Sequence, residues 1–378
     1  MRSLTWNEAC ERRLGRQHLL ERAPASRMVE VVSAVCGAQA QIITAAELTI
    51  GARVDEVTQQ DVREKIWERR RLIKTYGPRE TLHLLPAGEL PLWMAAMRAR
   101  ESLKGTQWYE ASGLEAGQAE ALMSGIGEAL DGRCLTREEL ATEVADRAGS
   151  WARERLASTW GELLPPAAYR GRLCFGPSRG SKVTFVRADQ WAGTWEELEP
   201  DAALVEVLRR YLRAYGPAVH QDFARWFWLK PEQARRVMES IAGELEEVEV
   251  EGRTAYILAG DEDTTPTSEA GPVRLLPQYD CYVLGGVPRD RLVPEAARKR
   301  ISAHGRGRLE GAVGLPVLLV DGVVAGMWER HVRSKRIELK VEAFVQLTPL
   351  QRVQLEAEAA RIGEFLGLEA SLVLGSLD

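Results

Sequence analysis

The side chains with the clearest chemical potential lie in a short polar tripeptide, Gln39-Ala40-Gln41. Glutamine amides do not titrate near neutral pH, so they cannot serve as general bases. Their carbonyl oxygens can hold one water by accepting both of its hydrogens, or can lie against a developing positive charge. By itself the tripeptide is interpreted as two polar side chains at a helix end, and its spacing alone does not assign it a function.

Other catalytic signatures are absent from the sequence. It contains no GxSxG, no GxxxxGK[ST], no HExxH and no GxGxxG after a strand. The five cysteines are scattered without CxxC spacing and the five histidines are equally dispersed, so we expect neither a metal nor a cofactor. Dispersed thiols, a charged N-terminus and the lack of a long apolar run favour a cytoplasmic protein.

Basic residues are concentrated in three segments although the net charge is −5. The segment from Arg63 to Arg79 contains seven basic and two acidic residues, and the segment from Arg289 to Arg308 contains the same numbers. A third cluster runs from Glu329 to Lys340. Such clusters fit either a phosphate-binding face or a solvated charged surface. The candidate DNA-contacting residues are Arg71, Lys74, His304, Arg306, Arg308, Arg333, Lys335 and Arg336.

The elements that would position these residues follow a recurring plan of helices and a two-stranded hairpin. Apolar spacing predicts helices over 27–37, 44–51 and 58–68, then strands over 72–76 and 80–85. A capping box at Thr136 and Glu139 opens a second group, and the third has helices over 204–215, 220–229 and 231–245 before a hairpin at Glu251-Gly252. This order is typical of winged-helix modules.

The sequence therefore predicts an α+β protein of about three tandem winged-helix modules and a mainly β C-terminal region. We expect modules at 1–100, 101–200 and 201–262, and a domain at 271–378 with a basic hairpin. Asp321-Gly322 predicts a turn between two strands, and apolar spacing predicts a closing helix over 349–366 that docks on the sheet.

Three other side chains have structural interpretations. His83 lies on an apolar strand, which predicts a buried, hydrogen-bonded imidazole. Asp280 is a candidate for orienting backbone or a neighbouring arginine. Trp226 and Trp228 flank Phe227, and we interpret both indoles as packing between modules rather than stacking on bases.

Four motifs in this order resemble the AlkZ/YcaQ family of bacterial winged-helix DNA glycosylases. They span most of the chain, and each is weakly specific while the ordered set is more so. Glu80 departs from the pattern, since a glycine is expected in the second position of that segment. The motifs are Gln39-Ala40-Gln41, RETLHLLPAGEL (79–90), AYGPAVHQDFARWFWL (214–229) and LLPQYDCYVLG (275–285).

The resemblance implies a DNA glycosylase that acts on double-stranded DNA carrying alkyl-purine lesions, with Gln39 and Gln41 as catalytic residues. The QxQ form is similar to the AlkZ branch, which is associated with bulky or crosslinking guanine adducts. It also implies that a basic hairpin probes the duplex, and it makes self-resistance in a genotoxin producer plausible. A winged-helix regulator that binds DNA without cleaving it stays open as the alternative, although three non-identical modules fit a monomer on DNA better.

Neutral amides suit one kind of glycosidic bond. Alkylation at guanine N7 turns the base into a cationic leaving group, so the enzyme needs to orient water at C1′ and stabilise an oxocarbenium ion. Residues two apart on an ideal helix point about 200° from each other, so one water is shared only where the helix ends or distorts. We therefore expect Gln39 and Gln41 at a helix end or turn that faces the DNA cleft.

Overall fold

The computed structural model describes residues 2–103, 105–157, 163–261, 271–304 and 314–377. The α+β class is confirmed. The helices are α1 (Trp6–Arg16), α2 (Met28–Ala34), α3 (Ile43–Gly51), α4 (Gln59–Arg63), α5 (Leu90–Arg98), α6 (Gln107–Glu110), α7 (Ala116–Ala129), α8 (Arg137–Ala148), α9 (Trp151–Ala157), α10 (Leu164–Ala168), α11 (Ala188–Ala192), α12 (Pro200–Tyr215), α13 (His220–Phe227), α14 (Pro231–Glu239), α15 (Cys281–Gly285), α16 (Arg289–Leu292), α17 (Glu295–Ala303) and α18 (Pro349–Leu366). The strands are β1 (Arg2–Leu4), β2 (Ala38–Gln39), β3 (Leu72–Tyr76), β4 (Leu82–Pro86), β5 (Leu135–Thr136), β6 (Cys174–Arg179), β7 (Lys182–Val186), β8 (Leu245–Val250), β9 (Arg253–Leu258), β10 (Val273–Leu276), β11 (Val317–Val320), β12 (Val323–Arg333), β13 (Arg336–Ala343) and β14 (Glu369–Leu374).

The chain divides into two compact units. The first comprises Met1–Arg63, Arg209–Asp222 and Ala242–Asp378, and the second comprises Glu64–Leu208 and Phe223–Ile241. The four modules predicted from the sequence are a finer division, and they remain a prediction. Within the described ranges, no helix combines the length and apolar character needed to cross a membrane.

Two sheets organise the first unit. In one, β1 runs parallel to β8, which forms the predicted hairpin with β9 around Glu251-Gly252. In the other, the strand order is β10-β11-β12-β13-β14. Helix α18 begins and ends where predicted and packs against β10 and β14, burying Leu355, Ala359 and Ile362. This packing confirms the predicted docking of the helix on the sheet.

The segment before β11 differs from expectation. The final hundred residues were expected to be mainly strands, but α15, α16 and α17 make the segment after β10 largely helical. Asp280 caps α15 through a 2.9 Å bond from the Tyr282 amide, while Pro288 and Pro294 immediately precede the other two helices. Since Tyr282 and Val283 are buried in the core of this unit, short helices satisfy the same apolar pattern that suggested strands.

Hairpins and helices also form the second unit. Strands β3 and β4 pair antiparallel, as predicted, and β7 pairs with both β5 and β6. The predicted capping box is confirmed, because the Thr136 side chain accepts from the Glu139 amide at the start of α8. Tyr76 and Phe175 lie 5.6 Å apart between ring centroids, which packs β3 against β6.

Candidate active site

Both candidate glutamines lie outside the helices. After α2 ends, the chain turns through Cys36 and Gly37, whose φ angles are 60° and 93°. It then extends through β2, and α3 begins two residues beyond Gln41. Gln41 meets the prediction of a helix end, since it lies two residues before α3, whereas Gln39 ends the short strand β2. The expected orientation toward a DNA cleft stays a prediction.

The two amides differ in accessibility. Only 6% of Gln39 is exposed and Ala40 is fully buried, whereas Gln41 is exposed. Both glutamines already have polar or electrostatic partners in the protein. Gln41 is therefore open to solvent, whereas Gln39 is almost entirely covered by the protein.

Helix α3 carries a buried carboxylate that the sequence did not single out. Glu47 is 1% exposed and accepts from Gln59 Nε2 at 2.6 Å. It also accepts from Arg63 Nε at 2.9 Å and from Nη2 at 3.3 Å. These bonds tie α4 to α3 and hold a negative charge three residues beyond Thr44 on the helix that follows Gln41. A glutamate within the otherwise apolar run AAELTIG was the available signal.

The basic hairpin β12–β13 meets this same helix. Arg330 on β12 donates from Nη2 to the Thr44 hydroxyl at 3.4 Å. Burial lowers the pKa of Arg330, and the nearby Glu47 carboxylate opposes that shift. The contact between Arg330 and Thr44 places the hairpin beside the first turn of α3, three residues from Gln41.

The tip of this hairpin is exposed and basic. Arg333 and Arg336 are paired across the turn, and the backbone of Ser334 has a φ of 56°. Arg333 and Lys335 are both exposed. The Arg336 guanidinium forms an exposed ion pair with Glu369 at 2.9 Å, and the neighbouring strand β14 donates to the Lys335 carbonyl. Strand β14 therefore braces one side of the hairpin up to its turn.

The remaining predicted DNA contacts have varied surroundings. His304 Nε2 lies 3.0 Å from the Glu342 carboxylate, with 16% of its side chain exposed. Arg306 and Arg308 lie outside the described residues. In the second unit, Arg71 is exposed just before β3, while the Lys74 ammonium lies 5.3 Å from the centre of the Phe175 ring.

The structural interpretations of His83 and Asp280 are confirmed. His83 is 3% exposed, and its Nδ1 lies 2.9 Å from the Thr81 carbonyl oxygen. Burial, reinforced by the charge of Arg79, lowers the pKa of His83 to about 3. Asp280 accepts two bonds from Arg53, at 2.7 and 2.8 Å, and both side chains are fully buried.

The two tryptophans behave differently. Trp226 is 5% exposed and stacks with Phe223 and Phe227, as a packing residue should. The packing interpretation of Trp228 is wrong, because 58% of this residue is exposed. Its backbone is left-handed, with a φ of 64°, and the Leu229 amide closes the end of α13 on the Ala224 carbonyl. The helix end thereby directs the chain so that the indole is not buried.

Helix α14, the third helix of the predicted third module, is engaged within the second unit. Gln233 donates to the Ala99 carbonyl at 2.8 Å and accepts from the Glu101 amide at 3.2 Å. Arg236 forms an ion pair with Glu101, and Lys230 lies 3.5 Å from the same carboxylate. Lys230, Gln233 and Arg236 therefore attach α14 and the residue before it to the segment that follows α5.

Three comparisons with known proteins concern the chain as a whole. The family model described as "DNA glycosylase AlkZ-like" matches residues 32–365. A relative from Streptomyces sahachiroi, named interstrand DNA cross-link repair glycosylase, is 35% identical over 372 residues, covering 96% of this chain and 97% of that protein. The chain belongs to the AlkZ-like family. The solved structure of Streptomyces sahachiroi DNA glycosylase AlkZ is similar, with a TM-score of 0.82 and 33% identity over 99% of this chain and 100% of that one.

Membership in this family identifies the chain as a DNA glycosylase, and its substrate is therefore DNA. The alternative of a regulator that binds DNA without chemistry is set aside on the same grounds. The catalytic residues and the lesion are inferred below from the geometry and chemistry of the site.

Proposed function

We propose that this glycosylase hydrolyses the N-glycosidic bond of cationic N7-alkylated guanine, with Gln39 and Gln41 as its catalytic residues. The observation that carries the proposal is the position of the pair. Gln39 ends β2 and Gln41 lies between β2 and α3, so neither amide belongs to a helix that would point the two to opposite sides.

The chemistry requires neither an acid nor a strong base. In the alkylated nucleotide the C1′–N9 bond breaks with its electrons passing to the positively charged base, which leaves as a neutral purine. Water adds to C1′ and its proton passes to solvent, so that an abasic site remains. Gln39 and Gln41 orient this water through their carbonyl oxygens and stabilise the positive sugar as it forms. Undamaged purines lack the cationic leaving group, so neutral catalysts leave them intact.

The hairpin supplies contacts to DNA beside this site. Arg333 and Lys335 at its exposed tip bind phosphates, while Arg330 connects the strand to the helix after Gln41. A duplex bound at the tip therefore lies on the same hairpin that contacts the helix after Gln41. Further phosphate contacts in this proposal come from Arg71, Lys74, His304, Arg306, Arg308 and Arg336.

The substrates include bulky adducts and interstrand crosslinks in this proposal. Support comes from the name of the Streptomyces relative, which is a cross-link repair glycosylase. A partly exposed pair of amides is also compatible with a large adduct, since Gln41 is open to solvent. We further propose that the enzyme acts as a monomer at the nucleoid, in base-excision repair or in self-resistance to a genotoxin.

The test is excision by wild type, Gln39→Ala, Gln41→Ala and the double variant from duplexes that contain N7-methylguanine or a bulky N7 adduct. Abasic sites are revealed by alkaline strand cleavage. We expect each single variant to lose at least about tenfold in single-turnover rate, as an isolated water-positioning contact would. Gln60→Ala is the matched control, because this exposed glutamine on α4 loses the same side chain without removing a bond to Glu47. Equal cleavage by the double variant and the wild type would remove the pair from the mechanism.

A further inference from the structure

A second concave site lies in the unit formed by Glu64–Leu208 and Phe223–Ile241. Its cavity has a volume of about 610 Å³, which is in the range that holds a nucleotide-sized ligand. Helix α7, the turn after α10 and the segment after α11 supply its walls. The polar and aromatic side chains among them include Ser124, Arg170, Arg172, Thr194 and Trp195.

The acidic side chains of this cavity each have an arginine close by. Arg187 binds both Asp131, at 2.7 Å, and Asp189, at 2.5 Å. The two other pairs are Arg98 with Glu197 at 3.5 Å and Arg147 with Glu128 at 3.9 Å. Each of these four carboxylates therefore has an arginine within 4 Å, with Arg187 shared between two of them.

Two arginines of the cavity are not used in these pairs. Across the described ranges, neither Arg170 nor Arg172 has a carboxylate within ion-pair distance. Arg170 is instead fixed by neutral groups: its guanidinium lies 4.3 Å from the centre of the Trp108 ring and donates to the Pro166 carbonyl at 3.0 Å. Stacking of this kind preorganises a guanidinium for a planar, two-pronged contact with an anion.

The surroundings of Arg170 disfavour its positive charge, and a bound anion would stabilise that charge. Burial lowers the pKa of Arg170 to about 10, and the charges of Arg98 and Arg172 lower it further in the same direction. A phosphate placed between Arg170 and Arg172 would relieve both the desolvation and the mutual repulsion. The hydroxyls of Ser124 and Thr194 can donate to its oxygens, and the Trp195 indole provides a surface for a sugar or base.

We propose that this cavity binds the phosphate of a nucleotide through Arg170 and Arg172. The phosphate can belong to the DNA backbone or to a free nucleotide, because both present the same chemistry. The proposal does not depend on Gln39 and Gln41, since it concerns binding in the other unit and needs no excision.

Arg172→Ala and Arg170→Ala test the site in the full-length protein. Arg172 is exposed, so its replacement leaves the core intact, and Arg153→Ala on α9 is the matched loss of an exposed arginine outside the cavity. Affinity is measured for inorganic phosphate and deoxyadenosine monophosphate by calorimetry, and for a short undamaged duplex by fluorescence anisotropy over a range of salt. Thermal unfolding confirms that each variant is folded.

Loss of one charge-assisted contact should weaken binding about tenfold in either cavity variant and leave Arg153→Ala unchanged. If the phosphate is that of DNA, the slope of log affinity against log salt also falls by about 0.9. Weakened binding of the mononucleotide with unchanged duplex binding supports a free nucleotide as the ligand. Affinities equal to wild type for all three probes, or equal losses in Arg153→Ala, overturn the proposal. Failure of the glycosylase mechanism appears separately, as excision that is indifferent to Gln39 and Gln41.

Discussion

Glu80 occupies a position where the resemblance favours glycine. Its replacement by glycine has two opposite effects on stability, one through the backbone conformation and one through an ion pair. The residue is left-handed, with a φ of 58°, directly after Arg79 with a φ of 60°. A side chain in this conformation costs about 1–2 kcal/mol, and the greater freedom of glycine in the unfolded chain offsets about 0.5–1 kcal/mol of the relief. On backbone grounds alone, Glu80→Gly should stabilise the protein by up to about 1 kcal/mol.

The side chain of Glu80 has the opposite effect. Its carboxylate lies 2.9 Å from Nη1 of Arg100, whose side chain is 6% exposed, while that of Glu80 is 33% exposed. Breaking a buried pair costs about 3–5 kcal/mol, and partial exposure of one partner reduces this to about 2 kcal/mol. The ion pair therefore outweighs the strain, and we expect Glu80→Gly to lower the free energy of unfolding by about 1–2 kcal/mol.

Urea unfolding followed by tryptophan fluorescence measures both contributions. In an Arg100→Met background the carboxylate has no buried cation to neutralise, so Glu80→Gly should stabilise by up to about 1 kcal/mol. Glu80→Gln is the control that keeps the left-handed side chain and removes the charge. If Glu80→Gly destabilises equally in both backgrounds, the ion pair is not what compensates the strain, and the reasoning is refuted.

Three further predictions concern stability and DNA affinity. Asp280→Ala leaves the Arg53 guanidinium buried without its carboxylate and should cost about 3–5 kcal/mol in urea unfolding, much of it recovered in a double variant with Arg53→Met; no recovery would contradict this explanation. Because the folded pKa of His83 is about 3, against an unfolded value near 6.5, protons bind the unfolded chain preferentially as pH falls through 6.5. Stability should therefore drop by about 2 kcal/mol between pH 7 and pH 5, and this part of the drop should vanish in His83→Gln. A slope unaltered by that substitution argues against a buried neutral imidazole. Replacing both Arg333 and Lys335 by alanine should weaken binding of undamaged duplex and reduce the salt slope by up to about 1.8, as anisotropy titrations would show; an unchanged slope excludes phosphate contacts at the tip.

Local patterns were sufficient to predict much of the fold. The capping box at Thr136, the turns at Glu251-Gly252 and Asp321-Gly322 and the bounds of α18 all depend on residues within a few positions of each other. Each of these elements is stabilised largely by its own sequence, which is why periodicity and turn chemistry are adequate signals.

Elements that depend on distant partners were missed. Helix α15 is capped by Asp280, whose carboxylate accepts hydrogen bonds from Arg53, 227 residues earlier in the chain. Strand β1 has three residues and pairs with β8 near Val248, so its short sequence carries little signal by itself. Tertiary contacts decide both elements, and a single sequence does not display those contacts.

The candidate site shows the same division. The tripeptide of Gln39 and Gln41 was found from resemblance, and its placement before a helix followed from simple helix geometry. The contact between Arg330 and Thr44 joins residues 286 positions apart, so no local pattern could indicate it. The network around Glu47 depends on the packing of α4 against α3, which the sequence does not encode in any one segment.

The central claim is that a cationic base leaves readily enough for two neutral amides to complete its hydrolysis. The most direct test compares single-turnover excision of N7-methylguanine with that of 7-methyl-7-deazaguanine, which has nearly the same shape but no positive charge. We predict excision of the charged base and a rate for the neutral one that is lower by at least about a thousandfold, equivalent to about 4 kcal/mol in the barrier. Comparable rates for the two bases would contradict this claim. The protein would then have to activate the neutral leaving group with an acidic side chain, and a glutamine amide cannot do this.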